Sequence, residues 1–119
     1  MSPVELQARL KEFAYRIVII CESLPPKKIC NIIESQLLRS AFSAAANYRA
    51  ACKAQSVKSF IAKLSIAFEE MDESLFWLEV ITELKFLKQG KMTLILREAD
   101  ELTRILASSR KTSQSKIKL

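Results

Sequence analysis

Polar side chains recur along one predicted helix at positions where a bundle helix normally carries leucine or isoleucine. They are Gln36, Ser40, Ser43 and Asn47, spaced four, three and four residues apart. A serine in such a row could act as a nucleophile only beside an activating base and a group that stabilises an oxyanion. The chain has no histidine and a single glycine, so it lacks the usual base and any glycine-rich loop. The stripe is therefore not predicted to be catalytic.

The same missing residue types exclude further chemistry. Histidine is the commonest ligand of zinc and iron, and one glycine cannot form a phosphate-binding loop of the Walker or dinucleotide type. Glu70, Glu73 and Glu79 could suggest a di-iron carboxylate bundle, but that site also needs Glu-x-x-His pairs. The sequence therefore predicts no catalytic residue, no metal ligand and no cofactor, and the protein is not expected to be an enzyme.

Composition predicts an all-α protein. Half of the 119 residues are apolar, and the chain contains only one glycine and three prolines. A sheet protein needs many turns, and turns are rich in those two residue types. Apolar periodicity then predicts four helices, at about Val4–Leu24, Pro26–Cys52, Val57–Gln89 and Met92–Arg110.

The ends of these helices have recognisable signals. Ser2 and Ser56 are predicted N-caps, with Pro3 at the first helical position. Pro26 is predicted to open the second helix, and Gly90 to end the third. The core is expected on the apolar face of each helix, which includes Ile29, Ile33, Leu37, Ala41, Ala44 and Tyr48 in the second helix, Val57, Ile61, Leu64, Phe68, Met71, Leu75 and Leu78 in the third, and Leu94, Ile95, Ala99, Leu102, Ile105 and Leu106 in the fourth.

Three short breaks between four helices predict an antiparallel, up-down-up-down four-helix bundle over residues 1–111. Residues 112–119 are expected to form a basic, flexible tail. The charged N-terminus does not look like a signal peptide, and no uncharged apolar run approaches the ~18 residues of a membrane span. Three cysteines, an odd number, are expected to be reduced core residues of a cytoplasmic protein.

The polar stripe is best explained as a helix-packing device, within the subunit or between subunits. Small hydroxyl residues let helices approach closely, and a serine can bond to its own helix. Gln36 and Asn47 are expected to take partners from another helix. The acidic series on the third helix, which is Glu69, Glu70, Asp72 and Glu73, could supply those partners or meet Arg39.

Positive charge is concentrated in one part of a chain whose net charge is +6. Between Ser35 and Phe68 there is no acidic residue, and the cations there could hold nucleic-acid phosphates. The same pattern is equally well explained by a positively charged surface that contacts only solvent. The candidate nucleic-acid contacts are Arg39, Arg49, Lys53, Lys58 and Lys63, with Arg110, Lys111, Lys116 and Lys118 near the C-terminus.

Aromatic residues add candidates for assembly. Phe42 shares the face of Arg49 and Lys53, where it favours a subunit contact. Trp77 and Phe76 flank predicted core positions, which favours core or interface over a base-stacking platform. The candidates for helix packing or a subunit interface are Gln36, Ser40, Phe42, Ser43, Asn47, Glu70, Glu73 and Trp77.

Taken together, these residues resemble a known family. The stretches SQLLRSAFSAAANYRAA, SFIAKLSIAFEEMDESLFWLEV and LILREADELTRILASSRKT are similar to the small bacterial four-helix-bundle proteins encoded in intervening sequences of 23S ribosomal RNA genes. The resemblance covers about residues 13–112. It centres on Gln36, Arg39, Ser40, Ser43, Asn47, Glu70, Glu73, Trp77, Glu98, Ala99 and Leu102.

The resemblance implies a ring-like homopentamer with no known catalytic activity. A related branch, the accessory variability proteins of diversity-generating retroelements, forms a basic pentameric barrel that binds nucleic acid and a reverse transcriptase. This chain departs from the common pattern at Phe42, at Ala44–Ala46 and at Ala50, where a glutamate is frequent. The last change makes the face more basic.

Two hypotheses follow. The first is a non-enzymatic oligomer, homopentameric as the resemblance implies, that binds RNA or DNA through a basic surface. The second is an adaptor ring for a protein partner such as a reverse transcriptase, with nucleic-acid binding incidental.

Overall fold

Four α-helices carry almost the whole chain in the computed structural model, which describes residues 1–117. They are α1 (Pro3–Glu22), α2 (Lys28–Cys52), α3 (Val57–Glu83) and α4 (Gln89–Ile117). Each helix packs against the next in chain order, and α4 closes on α1 over a smaller contact. The predicted all-α, up-down-up-down bundle is confirmed, and its longest dimension is 51 Å.

Both predicted N-caps are confirmed, at the starts of α1 and α3. The Ser2 hydroxyl accepts the Glu5 backbone N–H at 3.1 Å, and the Ser56 hydroxyl accepts that of Ser59 at 3.1 Å. The expectation that Pro26 opens α2 is wrong. The Lys27 N–H donates to the Pro25 carbonyl at 2.8 Å, and this tight turn delays the start of α2 to Lys28.

The turn between α3 and α4 lies earlier than predicted, so the expectation that Gly90 ends α3 is wrong. The helix stops at Glu83, and Lys85 takes the left-handed conformation with φ 60°. The Phe86 N–H bonds to the Ile81 carbonyl and the Lys85 N–H to that of Thr82, both at 3.1 Å, which is a Schellman motif. Packing of Phe86 against the core selects this end, although no glycine stands at the left-handed position.

The end of α4 also differs from its prediction. The helix begins at Gln89 and reaches Ile117, so residues 112–117, predicted to be a flexible tail outside the bundle, continue α4. No glycine or proline interrupts this segment, and the Ser115 hydroxyl bonds to the Thr112 carbonyl at 2.7 Å. The rest of the predicted tail, residues 118–119 with Lys118, lies outside the described residues.

Most of the predicted apolar faces are confirmed, but the row of buried residues on α3 differs from the predicted one. Leu64, Met71 and Leu78 are fully buried as expected, whereas the positions between them are Ala67 and Ser74. Phe68 and Leu75 pack at the edge of the core. The buried row of α3 is thus partly built from small residues, which allows α2 to approach it closely.

Three predicted core residues are exposed: Ile29, Val57 and Leu94. Ile29 and Val57 stand in the first turns of α2 and α3, where the neighbouring helices cover little of the surface. Leu94 lies on α4 beside α1, and the contact between those two helices is the smallest in the bundle.

All three cysteines are free thiols, as predicted for reduced core residues. Cys21 and Cys30 are buried and Cys52 is half-buried. Burial, together with nearby Glu34 and Glu22, raises the pKa of the Cys21 thiol to about 12. That thiol therefore remains protonated and behaves as a small apolar side chain.

Candidate nucleic-acid interface

The polar stripe of α2 faces α3, and the two helices share a network that we call the α2–α3 seam. At its centre the Ser40 and Ser74 hydroxyls, both fully buried, lie 2.7 Å apart. Ser40 also bonds to the Leu37 carbonyl at 3.2 Å, and Ser74 donates to the Glu70 carbonyl at 3.0 Å. The seam consists of Gln36, Arg39 and Ser40 on α2 and Glu70, Glu73, Ser74 and Trp77 on α3.

Arg39 crosses this seam and is bound by two carboxylates. Its Nη1 donates to Glu70 at 2.7 Å, and its Nη2 donates to Glu73. Glu73 also accepts the indole N–H of Trp77 at 3.2 Å. The bonds to Glu73 and then Glu70 raise the pKa of the Arg39 guanidinium. The charge of this arginine is therefore neutralised inside the subunit.

The two amides of the stripe use their own helix. Gln36 accepts a long bond of 3.4 Å from Arg39 Nε, and Asn47 donates to the carbonyl and hydroxyl of Ser43 at 2.9 and 3.1 Å. The expectation that both take partners from another helix is wrong, because a residue three or four positions away on the same face is already within reach.

A second ion-pair cluster joins α1 to α4. Arg9 donates through Nε and Nη2 to the two carboxylate oxygens of Glu98 at 2.8 and 2.7 Å, and Nη2 lies 3.1 Å from Glu101. The paired guanidinium lowers the pKa of the Glu98 carboxyl. Glu98 stands in the family-like stretch of α4, but no sequence signal connected it to Arg9, which is 89 residues away.

The opposite side of α2 faces α1 across an open cleft of about 640 Å³, here called the α1–α2 groove. Its aromatic rings, Tyr15 and Phe42, have centroids 6.3 Å apart. Its cations are Lys11, Arg49 and Lys53, and no carboxylate is among its lining residues. The rest of the lining is Val4, Gln7, Ala8, Ala45 and Ala46.

The antiparallel topology gathers further cations at the same end of the bundle. The start of α1, the end of α2, the start of α3 and the end of α4 all lie there. Arg110 on α4 sits over the Phe68 ring of α3 at 4.5 Å, which shows the two segments side by side. We call this region the basic end; it carries Lys11, Arg49, Lys53, Lys58, Lys63, Arg110, Lys111 and Lys116.

Within residues 1–117, none of these basic-end cations forms a salt bridge. The candidate contacts from the sequence thus fall into two groups. Arg49, Lys53, Lys58 and Lys63 lie at the basic end, whereas Arg39 belongs to the α2–α3 seam. Phe42 lies in the groove, and the other interface candidates lie in the seam or, for Ser43 and Asn47, next to it on α2.

Other kinds of site find little support in the described part of the chain. No group of three or more His, Cys, Asp or Glu side chains there is arranged to hold a metal ion. None of the four described helices is long and apolar enough to cross a membrane.

Comparison with known proteins supports one family. Residues 4–108 match the family described as 23S rRNA-intervening sequence protein. The fold is similar to the crystal structure of a protein of unknown function from the S23 ribosomal protein family of Bacteroides thetaiotaomicron, with a TM-score of 0.83 and 32% sequence identity. The alignment covers 93% of this chain and 99% of the other. No curated protein matches the chain.

Proposed function

This chain belongs to the 23S rRNA-intervening sequence protein family, and we propose that it is a non-enzymatic, oligomeric protein of the cytoplasm that binds RNA or DNA. Binding takes place through phosphate contacts at the basic end of the bundle.

The observation that carries this proposal is the concentration of cations, unpaired within residues 1–117, at the basic end, which includes part of the acid-free stretch between Ser35 and Phe68. Arg9 and Arg39 are each held by two carboxylates. The cations of the basic end have no such partner among the described residues, and they come from all four helices. A cluster of uncompensated positive charge attracts an anionic polymer, and each phosphate that it neutralises releases counterions.

Assembly into an oligomer is supported by apolar side chains on the surface. On α3, Ile66 is 40% and Phe76 is 53% exposed. Large exposed apolar residues often mark protein contacts. A homopentamer is what the family resemblance implies, and such a ring would present several basic ends to one nucleic acid.

Fluorescence anisotropy with nuclease-treated protein tests the proposal. Labelled RNA and DNA are titrated across a range of salt concentrations, and the logarithm of the affinity is expected to fall linearly with the logarithm of salt concentration. The double variant Arg49→Glu/Lys53→Glu is expected to bind at least tenfold more weakly and to show a shallower salt slope, because two phosphate contacts become repulsive.

A matched control reverses the same amount of charge at the other end of the bundle. Lys28 and Lys91, in the first turns of α2 and α4, are exposed, and Lys28→Glu/Lys91→Glu is expected to keep most of the affinity. Equal losses in the two variants would mean that only net charge matters. Absence of binding at low salt would overturn the proposal and favour the adaptor hypothesis.

A further inference from the structure

We propose that the α1–α2 groove binds unpaired bases, so that the preferred ligand of this protein is single-stranded nucleic acid. In this arrangement Tyr15 and Phe42 stack against the bases, while Lys11, Arg49 and Lys53 hold the phosphates on either side. The inference rests on the proposed function and names the form of nucleic acid that the basic end recognises.

The charge of the groove is the first argument. Lys11 stands on the α1 wall, and Arg49 and Lys53 stand on the α2 wall, so the two sides of the cleft are both positive. No acidic residue is among the lining residues, and these three cations form no salt bridge within residues 1–117. The cleft therefore suits a ligand that carries negative charge along its length.

The floor of the groove is the second argument. Tyr15 and Phe42 are 48% and 40% exposed, so both rings can be reached by a ligand in the groove. Small neighbours, Ala8, Ala45 and Ala46, leave the rings accessible. Aromatic faces next to cations are the combination that single-strand binding proteins use, because every base has a π-face that can stack.

The shape of the groove distinguishes a single strand from a duplex. Its volume of about 640 Å³ is within the range of small-molecule sites, about 300–1,000 Å³, and nucleotides are ligands of this size. The bases of a duplex are already stacked on one another and expose only their edges, so they cannot stack on the rings of the groove. A duplex would then contact only the rim cations.

The inference predicts a preference that can be measured by anisotropy at one fixed salt concentration. A labelled, unstructured twelve-nucleotide oligouridine is expected to bind at least tenfold more tightly than an RNA duplex of the same length. The variants Phe42→Ala and Tyr15→Ala should each lower the affinity for the single strand severalfold while leaving the duplex affinity unchanged. Their salt slopes should stay at the wild-type value, because no phosphate contact is removed.

Leu94→Ala is the matched control, because it removes an exposed apolar side chain from α4, outside the groove. It is expected to keep wild-type affinity for both ligands. In parallel, an oligouridine containing 5-iodouridine is crosslinked by light, and mass spectrometry locates the attached residue. Crosslinks at Tyr15 or Phe42 are the expected result.

The outcomes separate this inference from the proposed function. If the duplex binds as tightly as the single strand and Phe42→Ala has no effect, the groove is not the site, although the basic end still binds nucleic acid. If neither ligand binds at low salt, the proposed function itself fails. If Phe42→Ala reduces the subunit number in light scattering and the crosslinks lie elsewhere, the groove is a contact between copies of the chain, which overturns the inference.

Discussion

The two sides of α2 each carry an arginine, but only one of the two arginines is paired with carboxylates among the described residues. Arg39 points toward α3, where Glu70 and Glu73 hold its guanidinium and fix it to the neighbouring helix. Arg49 points toward α1, where the α1–α2 groove offers it aromatic rings and other cations but no carboxylate. An arginine on a helix is therefore a structural residue or a candidate ligand-binding residue depending on what the next helix presents.

The contrast extends to packing. The α2–α3 seam is closed by small hydroxyl residues that meet at 2.7 Å, and every buried side-chain nitrogen or oxygen within residues 1–117 has a hydrogen-bond partner. The groove is open, and its small residues are alanines that leave aromatic rings accessible. The family resemblance centres on seam residues, whereas the departures from its common pattern include Phe42 and Ala44–Ala46, at or beside the groove. We infer that the seam stabilises the fold.

The largest expected effect comes from filling the seam. Ser40→Leu places a bulky side chain where the two serines touch and removes a buried hydrogen bond, so it should lower the free energy of unfolding by about 2 kcal/mol. Urea denaturation measures this change. Ser35→Leu, at an exposed position on the same helix, is the control and should change stability by less than about 0.5 kcal/mol. A similar loss in both variants would show that the seam is not closely packed.

Replacing each of the two arginines is expected to have a smaller effect on stability, and it compares the seam and the groove directly. Arg39→Met leaves Glu70 and Glu73 close together without a cation, and it should lower the free energy of unfolding by about 1 kcal/mol. Arg49→Met should change stability by less than about 0.5 kcal/mol and should instead weaken RNA binding. Urea denaturation and anisotropy on both variants check this. If Arg39→Met weakened RNA binding without lowering stability, Arg39 would not be the structural residue and Arg49 the binding residue that we expect.

The α1–α4 ion pair predicts a dependence of stability on pH. Because Arg9 lowers the pKa of Glu98 in the fold, the pair stabilises the protein above the unfolded pKa of that carboxyl. This contribution is lost as the pH falls through the folded pKa. Glu98→Gln should thus cost up to about 1 kcal/mol near neutral pH and little in acid.

Urea denaturation between about pH 7 and pH 3 measures this dependence. Glu12→Gln, at an exposed position of α1, is the control and should follow the wild-type curve. A wild-type curve for Glu98→Gln at every pH would mean that the pair with Arg9 adds nothing to stability.

The smallest expected effect lies outside both regions, at Gly90. An added Cβ there meets no atom within 4 Å, and the residue is in the first turn of α4 without a positive φ. Gly90→Ala should raise the free energy of unfolding by about 0.5 kcal/mol and leave RNA binding unchanged. Thermal denaturation and anisotropy check the two parts. Altered binding would mean that changes in affinity cannot be assigned to the groove alone.

Much of the fold could be predicted from local patterns. The caps at Ser2 and Ser56, the scarcity of glycine and proline, and the apolar periodicity all depend on residues that are close in the chain. The end of α3 could not be predicted in this way. It is set by the packing of Phe86 on the core, and this tertiary contact overrides the local signal of Gly90.

The candidate site was predicted only in part. A run of cations without acids is visible between Ser35 and Phe68, but which of them are neutralised depends on residues far along the chain. Glu70 and Glu73 are more than thirty positions from Arg39, and Lys11 and Tyr15 complete the groove from another helix.

The sequence by itself thus determined the helical class, the number of helices and the presence of an acid-free basic segment, because these follow from composition and short-range periodicity. Only the tertiary structure decided which charges are paired, and it gathered the ends of four helices into one basic region. The physical reason is that antiparallel packing brings distant residues to the same level of the bundle, and a charge is free or neutralised according to what stands beside it there.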